Sequence, residues 1–361
     1  MKHGSVRIAG RAVDSAAPPL VIAEMSGNHN QSLDRALAIV DAAADAGAHA
    51  IKLQTYTADT MTLDVDTPEF RIDDPKSLWN GQSLYTLYQQ ASTPWKWHAP
   101  LFERARSRGL IAFSTPFDET AVDFLETLDV PCYKIASFEN TDLPLIRRVA
   151  ATRKPLIMST GMATIEELEA SVSVARDAGC SDLILLKCTS AYPATAADAN
   201  LATLPHMREL FQCEVGLSDH TIGVGVAVAA VAHGATVIEK HFTLARADGG
   251  VDSAFSLEPS ELAMLVCETR QAWLAGGKVA YGPQSESEWA SVQFRRSLYF
   301  VRDLAAGDII DHSAVRAIRP GHGLPPGEIE RVVGARVSQN VTRGTPVSWD
   351  TLREFRSGNG K

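Results

Sequence analysis

The sequence predicts an α/β protein whose main body is a parallel (β/α)8 TIM barrel, with a small β-hairpin before it and a separate small module after it. Three observations carry this. Eight short apolar runs alternate with amphipathic stretches of helical period from Leu20 onward. Several of those stretches close on a helix-stopping pair, as in Ala46-Gly47, Arg108-Gly109 and Ala178-Gly179. No GxGxxG follows the first run, which turns the reading away from a doubly wound open sheet, the competing arrangement.

Val6 to Ala16 alternates apolar and polar residues and is broken at Gly10-Arg11, the pattern of a hairpin. The expected barrel strands are Leu20-Ala23, Ala50-Leu53, Leu110-Phe113, Cys132-Ala136, Pro155-Met158, Asp182-Leu186, Cys213-Leu217 and Ala235-Glu239. Helices are expected over Leu33-Ala46, Trp97-Ser107, Glu119-Leu128, Leu143-Ala150, Ile165-Ala178 and Pro259-Leu274. The segment from Thr55 to Trp95 is too long for an ordinary strand-to-helix loop. It carries Met61, Phe70, Trp79, Tyr85 and Tyr88, and reads as an ordered excursion over the barrel mouth or as a decorative insertion. The barrel domain then spans 1–283, a polar linker 284–296, and the terminal module 297–361, with β-like runs at Leu298-Val301, Arg316-Ile318 and Val332-Val333. The closing Ser357 to Lys361 is expected to fray.

Composition narrows the function classes. A formal net charge of −9 with no basic cluster excludes nucleic-acid binding as the working hypothesis. The first residues lack the apolar core of a signal peptide, and the longest apolar run, Ile222 to Ala232, is too short to span a bilayer; a cytoplasmic protein is expected. The cysteines Cys132, Cys180, Cys188, Cys213 and Cys267 form no CxxC and lie mostly in or beside apolar runs, so buried reduced thiols are expected.

The chemistry concentrates where the barrel strands end, because that face carries the site in such barrels. Gly216-Leu217-Ser218-Asp219-His220-Thr221 and Val237-Ile238-Glu239-Lys240-His241 each end in a histidine. If a crossover helix lies between them, two imidazoles emerge side by side, which suits an open site for a borderline divalent metal. Either histidine alone could equally cap its strand. Glu24, Lys52, Gln54, Ser114, Thr115, Lys134, Ser137, Glu139, Ser159, Thr160, Thr189, Ser190, Tyr192, Ser218 and Lys240 complete the set of strand-end polar residues. Hydroxyls with two ammonium groups make an anion cradle, although any one hydroxyl could instead cap a helix. Lys52 and Lys134 follow apolar runs, so each needs an anionic ligand or a carboxylate partner, Glu24 and Glu139 being the candidates.

IAEMSGNHN (from Ile22), KLQTYTADTM (from Lys52), FSTPFD (from Phe113), YKIASFE (from Tyr133), STGMAT (from Ser159), GLSDHT and EKHF together resemble the sialic acid (nonulosonic acid) synthase family over nearly the whole chain. The terminal module resembles the SAF, or antifreeze-like, domain of those enzymes. Within the family, EMSGNHNQSL and KLQTYTADTM are most similar to the branch that condenses phosphoenolpyruvate with a 6-deoxy-2,4-diacetamido sugar.

The resemblance implies roles at matching positions. His220 and His241 match ligands of a divalent metal, manganese or magnesium, with cobalt as a further candidate. Lys52 and Lys134 match the holders of the phosphoenolpyruvate carboxylate, and Thr115, Ser137, Ser159, Ser190 and Ser218 its phosphate site. Glu139 matches the acid beside that substrate; Glu24, Gln54, Tyr192 and Asp252 match groups facing the amino-sugar acceptor. Arg319 matches an arginine delivered into the partner subunit's barrel, so the resemblance implies a domain-swapped homodimer. One departure is Ser190, where sialic acid synthases carry Asn after the Cys-Thr pair; it turns the reading away from N-acetylmannosamine as acceptor. N-acetylneuraminate or legionaminate synthesis remains the enzymatic alternative, and a non-catalytic sugar-binding protein the alternative of another class.

Overall fold

Apolar alternation at the N-terminus folds into a two-stranded hairpin, β1 (Val6–Ile8) and β2 (Arg11–Val13), in the computed structural model, which describes residues 5–353. Eight parallel strands follow: β3 (Leu20–Glu24), β4 (Ala50–Thr55), β5 (Ile111–Pro116), β6 (Tyr133–Ile135), β7 (Leu156–Ser159), β8 (Leu183–Cys188), β9 (Glu214–Asp219) and β10 (Val237–His241). They hydrogen-bond in chain order, and β10 returns to pair with β3 through Val237↔Leu20 to His241↔Glu24, closing the barrel. Each expected barrel strand and helix is present, and two further crossover helices, Thr203–Phe211 and Gly225–Ala232, fill the remaining connections. The second of these lies between the two histidine-bearing strands, the condition for bringing His220 and His241 side by side.

Strand alternation sorts the core into two layers. Outward residues such as Val21, Ala23, Ile51 and Leu53 pack against the surrounding helices, for example on Ile39 and Val40 of the helix Leu33–Asp45. Inward residues such as Leu20, Ile22, Phe113, Ile157, Ile184 and Val237 fill the barrel, and Val6, Ile8 and Val13 of the hairpin pack onto that interior cluster. The hairpin therefore plugs the barrel from one end. Gly216 is the inward residue of β9, where any Cβ would collide with the carbonyl of Val237, so the strand can close only with glycine there.

The chain divides into two compact units, residues 1–277 and 278–361. In the second, β11 (Ser297–Phe300) pairs antiparallel with β12 (Val315–Ile318), and β13 (Arg336–Val337) with β14 (Leu352–Arg353). Leu298, Phe300, Ile310, Val332, Val337 and Val347 form its core. Two expectations are corrected here. The polar stretch expected to be a linker contains a helix, Glu286–Ser291, capped by the Ser285 hydroxyl, and Val332 ends a helix, Ile329–Val332, where a β-like run was expected. Among the cysteines, Cys132, Cys180, Cys188 and Cys213 are buried and free, but Cys267 is exposed, because it lies on the outward side of the helix Pro259–Gly276. No helix among the described residues is long and apolar enough to cross a membrane. The terminal Ser357 to Lys361 lies outside the described residues.

Ile8 is fully buried in the plug. Ile8→Ala should therefore destabilise the barrel by about 2–5 kcal/mol through lost burial and a residual cavity. The readout is the midpoint of urea unfolding followed by far-UV circular dichroism; an unchanged midpoint would show that the hairpin is not part of the barrel core.

Candidate active site

The inward face of the barrel changes character at a single height. One inward step beyond Ile22, Ala50, Phe113, Cys132, Ile157, Leu186, Gly216 and Val237 stand Glu24, Lys52, Thr115, Lys134, Ser159, Cys188, Ser218 and Glu239. Hydrocarbon gives way to a ring of polar and charged groups, all buried. Such groups persist in a core only when they satisfy one another.

They do so through one network. The Lys52 ammonium lies 2.6 Å from Glu24 Oε2 and 3.9 Å from Glu239 Oε2, and donates to Thr115 Oγ1 at 3.0 Å. Lys134 Nζ is 3.7 Å from Glu239 Oε1 and donates to Ser159 Oγ at 2.7 Å, while Ser218 Oγ donates to Glu239 Oε1 at 3.0 Å. Burial alone would strip Lys52 of its proton, yet Glu239 and Glu24 hold its pKa above the ordinary lysine value. Burial depresses Lys134, with Glu239 only partly restoring it. Glu239 is buried as well, but Lys134 and Lys52 keep it below the usual carboxylate range.

His220 and His241 sit beside this network with ring centroids 5.4 Å apart. His220 Nδ1 is 2.9 Å from the Thr189 carbonyl. Burial alone would lower the His220 pKa, but hydrogen bonding with Cys188 and Thr189 raises it. His241 is held well below the ordinary histidine value by burial and by His220, and is therefore neutral; its Nδ1 is buried without a hydrogen bond, 3.8 Å from Asp252 Oδ2. Asp252 is anchored by the Ser26 hydroxyl. Tyr192 and Phe255 pack on the rings, with centroids 4.5 Å from Tyr192 to His220 and 4.9 Å from Phe255 to His241.

Above the network opens a cavity of about 380 Å³. Gln54, Ser137, Glu139, Ser190, Tyr192, His241 and Asp252 line it together with residues of the 55–95 excursion. Ser190 Oγ donates to Ser137 Oγ at 2.8 Å, and both residues crowd Gly161, where an added Cβ would lie 2.5 Å from Ser137 Cβ and 3.1 Å from Ser190 Oγ. Gly161 also has φ +51°, so the turn after β7 needs glycine twice over. Glu139 has one buried oxygen without a partner, and burial raises its pKa to about 7.

The expected site residues of the barrel thus converge, in two tiers. Glu24 is tied to Lys52 and Ser26 N in the lower tier and does not line the cavity. Of the two carboxylate partners expected for the lysines, Glu24 pairs with Lys52, whereas Lys134 turns to Glu239 and not to Glu139. Ser159 binds Lys134 and caps no helix; Thr164 caps the one that follows. Lys240 belongs outside the set: it binds Asp219 at 2.8 Å and the Thr221 and Gly223 carbonyls, on the opposite side of its strand from Glu239. Sequence reasoning passes over Glu239, although its spacing of two from His241 marks both as residues of one strand face. Arg319 is exposed in the second unit, directly after β12, on a loop held by Ser297 Oγ donating to Pro320 O and Gly321 N donating to Gln293 O.

Comparison with known proteins decides the lineage. The NeuB family model matches residues 39–281 and the SAF domain model residues 295–353. The chain belongs to the NeuB family. These are the sialic, or nonulosonic, acid synthases, and the chain is accordingly an enzyme, a transferase, carrying a SAF domain. It is 41% identical to a pseudaminic acid synthase of Helicobacter pylori over 93% of this chain and 98% of that one. Identity to an N,N'-diacetyllegionaminic acid synthase of Legionella pneumophila is 37%, covering 92% and 94%. The crystal structure of an N-acetylneuraminic acid synthetase from Leptospira borgpetersenii in complex with citrate superposes with a TM-score of 0.71 at 32% identity, covering 81% of this chain and 96% of that one.

Because the folded Glu139 carboxyl titrates near 7 and the unfolded one near 4.5, the native state binds more protons than the unfolded state between those values, and stability falls as pH rises across them. Glu139→Gln should remove that slope. In thermal melts the variant should exceed the parent at pH 8 and converge with it near pH 4; parallel profiles would contradict the assignment.

Proposed function

We propose that this NeuB-family enzyme is a pseudaminic acid synthase. It condenses phosphoenolpyruvate with 2,4-diacetamido-2,4,6-trideoxy-β-L-altropyranose and water, giving pseudaminic acid and phosphate. The observation that carries the reading is the two-tier site, with buried Lys52 and Lys134 under a cavity rimmed by Glu139, His241 and Asp252. The choice among acceptors is supported by the higher identity to pseudaminic than to legionaminic acid synthase and by Ser190.

Lys52 and Lys134 provide the charge for a substrate with both carboxylate and phosphate, and the hydroxyls of Thr115, Ser137, Ser159, Ser190 and Ser218 surround it with donors that reorient as it arrives. The acceptor's open-chain aldehyde lies in the cavity above, next to the histidines. The electron pair of the enol C2–C3 bond forms the new C–C bond to the aldehyde carbon, whose oxygen takes up a proton. Water adds at C2 and loses its proton, and the C2–O bond then breaks to release phosphate and leave the keto group. Glu139, poised near neutrality, accepts and returns a proton at the water and the leaving oxygen.

The histidine pair fits a divalent cation. His241 is neutral with an unpartnered ring nitrogen and Asp252 is adjacent, while His220, its Nδ1 engaged by the Thr189 carbonyl, would exchange its hydrogen bond with Cys188 for the ligand. Among the described residues no group of three or more His, Cys, Asp or Glu is arranged to hold a metal. A cation such as manganese or magnesium, held by His220 and His241, would supply Lewis-acid polarisation of the aldehyde oxygen. Arg319, we propose further, completes the barrel of a second copy in a domain-swapped homodimer working in the cytoplasm.

Phosphate release with phosphoenolpyruvate should be fastest for the 2,4-diacetamido-6-deoxy-altrose acceptor among it, its legionaminate-type isomer and N-acetylmannosamine. Sugar binding without phosphate release would leave a non-catalytic binding protein. His220→Ala and His241→Ala should each abolish turnover with the fold intact, and full activity after chelation would remove the cation from the reading. Mixing Arg319→Ala with His241→Ala protein should restore activity through hybrid dimers, whereas no recovery would contradict delivery in trans.

A further inference from the structure

The cavity has two chemically different walls. Barrel strand ends and the loops that follow them contribute the polar one, through Gln54, Ser137, Glu139 and Asp252. The 55–95 excursion contributes the other: Tyr56, Trp79 and Tyr88 bring aromatic faces with polar tips, and between them Met61, Ile72, Leu84 and Leu87 form a patch with no hydrogen-bond donor and no acceptor beyond the weak thioether of Met61.

This apolar wall is built, not draped. Met61 ends a helix, Ala58–Met61, started by reciprocal Thr57 and Thr60 capping. Ile72 is pinned by paired backbone hydrogen bonds, its N–H to Gln82 O at 3.0 Å and its carbonyl from Gly81 N at 2.7 Å. Leu84, Leu87, Tyr88 and Ala91 recur at i, i+3, i+4 and i+7 along the helix Leu84–Ala91, so one helical face looks into the cavity. Trp79 Nε1 donates to the Val251 carbonyl at 2.8 Å, tying the excursion to the segment that carries Asp252. An insertion without a role would not spend a capped helix, a backbone ladder and an indole hydrogen bond on presenting four aliphatic side chains across the cavity from Gln54, Glu139 and Asp252.

We propose that Met61, Ile72 and Leu84 are the specificity determinants that receive the unhydroxylated C6 end of the acceptor and discriminate against a 6-hydroxyl. This rests on the reading above that the acceptor is a 6-deoxy sugar condensing at C1. The reacting C1 must lie by His220 and His241 at the strand ends, so C6, at the far end of the carbon chain, falls to the wall the strands do not make. A methyl there exchanges water for aliphatic contact. A hydroxyl against the Met61, Ile72 and Leu84 side chains gives up its water partners and finds no equivalent ones on them, which costs on the order of tenfold to a hundredfold in kcat/KM.

The test compares two acceptors that differ only at C6, the 2,4-diacetamido-2,4,6-trideoxy sugar and its 6-hydroxy counterpart, on the full-length enzyme with phosphoenolpyruvate. Ile72→Thr and Met61→Gln, near-isosteric polar replacements, are measured alongside the parent. The parent should favour the 6-deoxy acceptor by about tenfold or more, and each variant should move the ratio toward unity with the KM for phosphoenolpyruvate unchanged, which also certifies an intact site. A parent that discriminates and variants that keep its ratio would overturn the wall's role while leaving the function standing. A parent that prefers the 6-hydroxy sugar would overturn both.

Discussion

Two ammonium groups buried at the top of a hydrocarbon barrel are the constraint from which the rest of the site follows. Neither Lys52 nor Lys134 can stay charged there alone, and the solution is a shared carboxylate, Glu239, set between them, with Glu24 as a second partner for Lys52. Removing one member of such a pair leaves the other charge unpaired in a dry environment, typically at a cost of about 3–5 kcal/mol. The network is therefore poor as a stabilising device and good as a fixed electrostatic environment. Its ammoniums are held in position before any ligand arrives, which is what an anion site requires.

The barrel makes this possible by separating tasks along each strand. The lower inward residues and the hairpin plug close the barrel with hydrocarbon, and one step higher every strand contributes a polar or charged side chain. One more step reaches Gln54 and His241, and the cavity. Depth thus sorts the groups by chemistry: charge lowest, ring nitrogens and carboxyls at the rim, and the aliphatic excursion above. Glu139, buried yet without a cationic partner at hydrogen-bond distance, is the carboxyl left free to exchange a proton near neutral pH.

Much of this was legible in the sequence because strand and helix periods are local. The eight apolar runs place all eight strands, and the residues at their ends meet as expected. What escaped depended on side-chain facing. Glu239 closes an apolar run and reads as part of the strand, while Lys240, next to a histidine, reads as part of the site; a two-residue period puts Glu239 inside with His241 and Lys240 outside with Asp219. Pairing of Lys134 with Glu239 and not with Glu139 is a long-range choice that no local pattern records. The excursion's apolar side chains were visible, but their common orientation toward the mouth appears only with the helix Leu84–Ala91 in place. Cys267 went the other way, since a helix exposes some of its apolar positions.

The central claim, that the buried ammonium pair is the seat of the anionic substrate, is tested most directly by titrating phosphoenolpyruvate calorimetrically into the parent and into Lys134→Met/Glu239→Gln. The double change removes one charge of each sign, so no unpaired ion is left to unfold the barrel, and Lys52 remains neutralised by Glu24. The account predicts that affinity falls by about a hundredfold or more, some 3 kcal/mol. Binding within a factor of about two of the parent, at a pairing worth no more than an exposed salt bridge, would place the anion elsewhere and contradict it.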